Sequence, residues 1–156
     1  MKNSFRLVVA QLNPRAGDLT GNANKVRIAY KTAKNMNANF IAFPEMFLIG
    51  YQVGDLVRKP AFTSEVMSLI EDLAKEFETG PSVGLGAPYW DGQRLYNGYY
   101  ILTNGKIETI IKKHVLPNDN EFDEKRFFSE GPIAGPYNID GVRIGSPICE
   151  DAWHQD

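Results

Sequence analysis

The chain has 156 residues, 43% of them hydrophobic, with 17 basic and 19 acidic side chains for a formal net charge of −2, one cysteine and two histidines. That size fits one domain with a single core, and the ligand count excludes an internal disulfide and a Cys-rich or His-rich metal site. With no basic cluster longer than Lys112-Lys113, and no signal-peptide core or membrane-length apolar run after Met1-Lys2-Asn3-Ser4, nucleic acid and membranes are poor partners and a soluble cytoplasmic setting is expected.

Phe5 to Leu12 is a β-branched apolar run broken by Asn13-Pro14 and Gly17-Asp18, which predicts a buried first strand and a turn. Val26, Ala29, Tyr30, Ala33 and Met36 then recur at helical spacing, predicting a helix over about residues 22–36 that Asn37-Ala38-Asn39 closes. Phe40 to Phe43 reads as a second strand, and strand, helix, strand at this spacing argues an α/β layer. Pro44 ends that strand, so Glu45 falls just past its carboxyl end, where open α/β sheets place their sites. A lone glutamate in a turn is usually a solvated charge. Phe43, Met46, Phe47, Leu48 and Ile49 surround this one with apolar groups, a setting in which a carboxylate can serve as a base.

A loop marked by Gly50-Tyr51 and Gly54-Asp55-Leu56 precedes a second amphipathic helix carrying Val66, Leu69, Ile70, Leu73, Ala74 and Phe77. Val83 to Ala87 is a short strand whose glycines permit close backbone approach. Leu95 to Leu102, Asn104-Gly105 and Lys106 to Val115 predict a β-hairpin. Alternation places Lys113 with Ile111 and Val115 on one face and Lys112 with Ile110 and His114 on the other, so only one lysine can face a given pocket. Asn120 to Phe128 mixes charge and aromatics without helical period and is expected to lie over the site as an ordered loop. Ala134 to Ile139 and Asp140-Gly141 predict a strand and turn. They lead into an apolar run that ends at Cys149, where Glu150-Asp151 opens a helix. A thiol at such an elbow sits under free N–H groups and a positive dipole end, which favours thiolate and offers an oxyanion a donor. The alternative for a free cysteine is a buried structural role.

Phe43-Pro44-Glu45, Lys113 with Leu116-Pro117 and Phe122, and Ile148-Cys149-Glu150-Asp151 resemble, in that order, the nitrilase superfamily of C–N hydrolases. Gln11-Leu12-Asn13, Gly17-Asp18, Asn22, Gly50-Tyr51, Asp55-Leu56 and Cys-Glu-Asp-x-Trp at 149–153 are similar, within it, to the amino-terminal glutaminase domains of glutamine-dependent NAD⁺ synthetases. The resemblance implies an α/β fold, the nitrilase-like α-β-β-α sandwich, over residues 1–156. It implies Cys149 as nucleophile, Glu45 as general base and Lys113 as the cation that stabilises the oxyanion with the backbone N–H of Glu150. Glu121 would hold Lys113, and Asp119, Phe122 and Glu150 would shape the glutamine pocket, although relatives often carry Tyr at the position of Asp119.

The same resemblance implies L-glutamine as substrate, a homo-oligomer, and ammonia passed to a synthetase domain that uses ATP and Mg²⁺ to amidate deamido-NAD⁺. The superfamily sandwich continues well past its cysteine, and no ATP-binding synthetase motif occurs in the chain, so an amino-terminal piece of a longer protein, inactive and self-associating when isolated, is expected. A stand-alone amidase or carbamoylase would use the same triad, and a non-catalytic assembly module would keep the fold without turnover.

Overall fold

The protein is described from a computed structural model covering residues 4–118 and 122–154. Five strands, Leu7–Val9 (β1), Phe40–Ala42 (β2), Ser82–Trp90 (β3), Leu95–Thr103 (β4) and Lys106–Lys112 (β5), form one sheet in that order. The first three are parallel and the last three antiparallel. Helices Leu19–Asn35 (α1) and Pro60–Glu76 (α2) connect β1 to β2 and β2 to β3, and Tyr137–Ile139 (β6) pairs with Val142–Ile144 (β7) as a separate hairpin.

α1 starts three residues before the apolar stripe predicts, because Asp18 caps it: its Oδ1 accepts the Gly21 N–H at 2.9 Å. α2 has Pro60 at its first turn, where a missing N–H costs nothing. Ala23, Val26 and Ala33 of α1 and Val66, Ile70 and Leu73 of α2 have no exposed surface, and they pack with Ile41, Val83, Leu85 and Leu102 of the sheet. Burying each of the larger side chains stabilises by about 1.5–3 kcal/mol, so tertiary packing rather than propensity holds both helices.

The opposite face carries Phe40, Tyr99, Ile101 and Ile111, which pack with Ile139 of β6 and with Ile148. Helix layer, sheet and a second β layer therefore follow one another as the expected sandwich requires. The first strand departs from expectation. β1 is short and lies at the sheet edge with Leu7 and Val9 exposed, while Val8 between them packs on the helix side. Its outer face is only partly met by the β6–β7 hairpin, so an apolar run does not become a buried strand.

Both hairpins turn as their Asn-Gly and Asp-Gly pairs dictate, with positive φ at Asn104 and Gly105 and again at Asp140 and Gly141. The β4–β5 pairing also carries a bulge between Ile101 and Leu102.

Candidate active site

Glu45 is set by the turn that follows β2. Tyr99 donates to the Phe43 carbonyl at 3.0 Å, the Phe43 N–H donates to Gly84 O at 2.8 Å, and the Leu48 N–H donates to Gly86 O at 3.1 Å. Between these anchors the chain reverses through Met46 at φ +52°. The reversal presses on β3: a Cβ at Gly86 would lie 2.4 Å from Met46 N, 2.6 Å from Pro44 O and 2.8 Å from Glu45 C. Gly86→Ala must therefore displace the Glu45 backbone. We expect it to lower turnover at least tenfold and stability by about 1–3 kcal/mol, read from a rate assay and a thermal melt; unchanged turnover would show that the turn adapts elsewhere.

Lys113 is the centre of the site. Its backbone N–H donates to Asn97 O at 2.9 Å, its side chain has no exposed surface, and its Nζ donates to Glu45 Oε1 and to Glu124 Oε1, both at 2.8 Å. Burial works against the ammonium, but its hydrogen bonds to Glu124 and Glu45 outweigh it and hold the Lys113 pKa above its ordinary 10.5. The cation thus persists across the neutral range, and its contribution to stability is lost only as pH rises through that elevated value. An ammonium has three donors, and two are committed to described residues. Lys112, on the other face, lies 3.5 Å from Asp91 and over the Tyr96 ring at 4.2 Å, so the alternation argument assigns the two lysines correctly.

The carboxylate that partners Glu45 on Lys113 is Glu124, in a short 3₁₀ turn at Glu124–Arg126. Glu121, expected in that role, lies outside the described residues, as does Asp119. Tyr51 donates to Glu124 Oε1 at 3.0 Å. Burial, reinforced by the charges of Glu45 and Glu124, pushes its phenol far above the ordinary range and keeps it a donor. Sequence reasoning noted Gly50-Tyr51 as a motif but did not give Tyr51 a role. It passed over Asn97 altogether. Asn97 is 1% exposed, and its Nδ2 donates to Glu45 Oε1 at 2.6 Å and reaches Glu124 Oε2 at 3.4 Å. A polar residue inside the apolar run of β4 is the one signal that pointed to it.

Cys149 follows β7 by five residues rather than ending a buried strand. Gly145-Ser146-Pro147 leaves the ladder, Pro147 having no N–H to give it, and Tyr137 and Ser146 share a hydroxyl hydrogen bond at 2.7 Å. Cys149 itself is exposed and holds φ at +48°, a left-handed conformation costing a non-glycine residue of order 1–3 kcal/mol. Asp151 retains the elbow. Its Oδ2 accepts the Ile148 N–H at 3.1 Å, and its Oδ1 accepts the N–H groups of His114 at 3.1 Å and Val115 at 2.7 Å. The cysteine turn and the segment bearing Lys113 are thereby tied through one carboxylate.

The expected helix is only a 3₁₀ turn, Cys149–Trp153, too short to supply a strong dipole. Desolvation, followed by the charge of Glu45, pushes the Cys149 thiol up, and Lys113 opposes this only in part. These surroundings work against the expected thiolate, so attack on an amide calls for a base.

Glu45 and Cys149 line one cavity of about 440 Å³ with Phe43, Tyr99 and Ile148. Phe122 lines a second, of about 250 Å³, with Tyr51, Asn97 and Glu124. Glu150 borders neither; its carboxylate lies 3.4 Å from His154. Glu45, Lys113 and Cys149 are thus brought together, Phe122 is one cavity removed, and Glu150 turns toward its own helical neighbour.

A profile of the carbon–nitrogen hydrolases matches residues 6–156. The chain belongs to the carbon–nitrogen hydrolase family. It is 44% identical over its full length to the glutamine-dependent NAD(+) synthetase of Rhodobacter capsulatus, of which it covers 28%. Among solved structures it is similar to the glutamine-dependent NAD+ synthetase of Acinetobacter baumannii in complex with ADP, with a TM-score of 0.85 and 28% identity over 96% of this chain and 28% of that one. An amidase from Nesterenkonia sp. shares the fold of this chain, with a TM-score of 0.68 and 18% identity over 85% of this chain and 50% of that one. The chain spans little more than a quarter of the synthetases it matches.

Proposed function

We propose that the chain is the glutamine-hydrolysing part of a glutamine-dependent NAD⁺ synthetase. The observation that carries this reading is the joining of Lys113 to Glu45 beside the cavity that Glu45 shares with Cys149, in a sequence 44% identical along its length to a protein of that name. An amide is a weak electrophile, so its cleavage needs a nucleophile, a proton for the leaving nitrogen and positive charge on the oxyanion.

Glu45 takes the Cys149 proton as sulfur attacks the carboxamide carbon of glutamine. Lys113, using its uncommitted N–H together with the Glu150 backbone N–H, stabilises the resulting oxyanion. When that intermediate collapses, the C–N bond breaks, Glu45 returns the proton to nitrogen and ammonia leaves, with the γ-glutamyl group held as a thioester. Water, deprotonated by Glu45, then attacks the thioester, glutamate departs and sulfur recovers its proton.

In this reading the ammonia serves a synthetase region of the same polypeptide, ATP and Mg²⁺ are used there, and the setting is cytoplasmic. No helix among the described residues is long and apolar enough to cross a membrane. Within the chain Phe122 and Tyr51, which line one cavity, are the candidates to shape the glutamine pocket.

Glu45→Gln tests the base. It keeps shape and removes basicity, so ammonia release from glutamine should fall by about 10²–10⁴. Because the Glu45 charge helps push the thiol up, its removal should move alkylation of Cys149 to lower pH, followed by peptide mass spectrometry across a pH series. A variant that hydrolyses glutamine at the parent rate removes Glu45 from the mechanism.

A further inference from the structure

Two donors meet on one oxygen of Glu45. Lys113 Nζ lies 2.8 Å from Oε1 and Asn97 Nδ2 lies 2.6 Å from the same atom, while Oε2 receives no hydrogen bond from any described residue. Asn97 is placed for this by the sheet: Gly98 pairs with Lys112, so Asn97 falls opposite Lys113 and both side chains share a face. Its amide orientation is not free. The groups before it are the carboxylates of Glu45 and Glu124, both acceptors, so the NH₂ end must face them. Asn97 Oδ1 is then left buried without a partner, an arrangement the fold tolerates only because turning the amide over would set oxygen against oxygen.

We infer that Asn97 is a positioning residue for the base: together with Lys113 it occupies Oε1 of Glu45 and so leaves Oε2 as the oxygen that takes the proton of Cys149. This rests on the reading of Glu45 as general base. The groups that face Glu45 are Lys113 beyond β5, Glu124 in its 3₁₀ turn, Tyr51 in the loop before α2 and Cys149 at the elbow. Of the neutral side chains, Asn97 alone donates to the carboxylate of Glu45 among the described residues. It restrains the carboxylate in rotation without adding charge, and it stands between the two carboxylates that flank one ammonium.

The test compares Asn97→Ala, Asn97→Asp and Asn97→Ser in the full-length polypeptide carrying this sequence, with Glu45→Gln alongside. Ammonia release from L-glutamine is followed from about pH 5 to pH 9, and folding by circular dichroism and thermal melting. Asn97→Ala and the isosteric Asn97→Asp should each lower kcat about tenfold with KM changed less than about twofold, because the base is no longer held in its attacking orientation. Asn97→Ser keeps one donor and should fall between them and the parent. A structural role alone would lower the melting temperature and leave kcat, measured well below it, at the parent value; a folded Asn97→Ala with parent kcat overturns the proposal. Failure of all three variants to fold overturns it too, since Asn97 would then be needed for the core rather than for the base. If Glu45→Gln keeps parent turnover, the base assignment itself falls; if that variant is inactive and the folded Asn97 variants keep parent kcat, only the positioning role does.

Discussion

Cys149→Ala should abolish ammonia release from glutamine. Cys149 is the only cysteine of the chain and faces the same cavity as Glu45, and no other nucleophile there can form the thioester on which the proposed route depends. The full-length polypeptide should still make NAD⁺ when ammonia is supplied directly, because only the internal source of nitrogen is lost. Both reactions can be followed on one preparation, one by glutamate formation and the other by NAD⁺ formation. Glutamine use at near the parent rate would remove Cys149 from its role, and loss of both reactions would mean that the substitution damages more than the nucleophile.

Lys113→Ala should be nearly as damaging, for two separable reasons. Losing an oxyanion donor lowers kcat by about 10²–10³. Losing the cation also leaves Glu45 and Glu124 facing each other across a buried gap, and breaking a buried ion pair from one side costs about 3–5 kcal/mol. Lys113→Ala should therefore lower the melting temperature as well as turnover. Lys112→Ala is the control, since that ammonium is partly exposed and interacts with Asp91 and the Tyr96 ring, and exposed pairs contribute about 1 kcal/mol or less. Equal losses from the two substitutions would contradict the geometry of the β5 end.

Much of this site is legible in the sequence, and what is not has definite physical causes. Glu45 is readable because an apolar strand stops at a proline and a charge follows among apolar neighbours. Lys113 is readable because alternation along a strand decides which of two adjacent lysines turns inward. Cys149 is readable as an elbow, but its ionisation is not, since that depends on the distances to Glu45 and Lys113 rather than on the residues beside it in the chain.

Asn97 is hidden by register. Counted from the Asn104-Gly105 turn, a regular hairpin sets Tyr96 opposite Lys113. The bulge between Ile101 and Leu102 advances the pairing by one residue and brings Asn97 there instead. Nothing in the local alternation announces that bulge. Glu124 is hidden for another reason: Asn120 to Phe128 has no period, so spacing alone does not rank its glutamates, and only the short 3₁₀ turn shows which of them the described structure presents to Lys113. The first strand misleads in the opposite direction, because an apolar run carries no mark of lying at a sheet edge.

The burial of Lys113 between two carboxylates also bears on how the hairpin finds its partner during folding. If β5 slid by one residue against β4, its side chains would exchange faces. The slip that gives Lys113 the place of Lys112 would set it beside Asp91 and leave Glu45 and Glu124 without the ammonium that lies between them. Two largely buried carboxylates without a cation are far more costly than a lost apolar contact. The charge that serves chemistry thus also disfavours that slip, and so supports the bulged register that places Asn97.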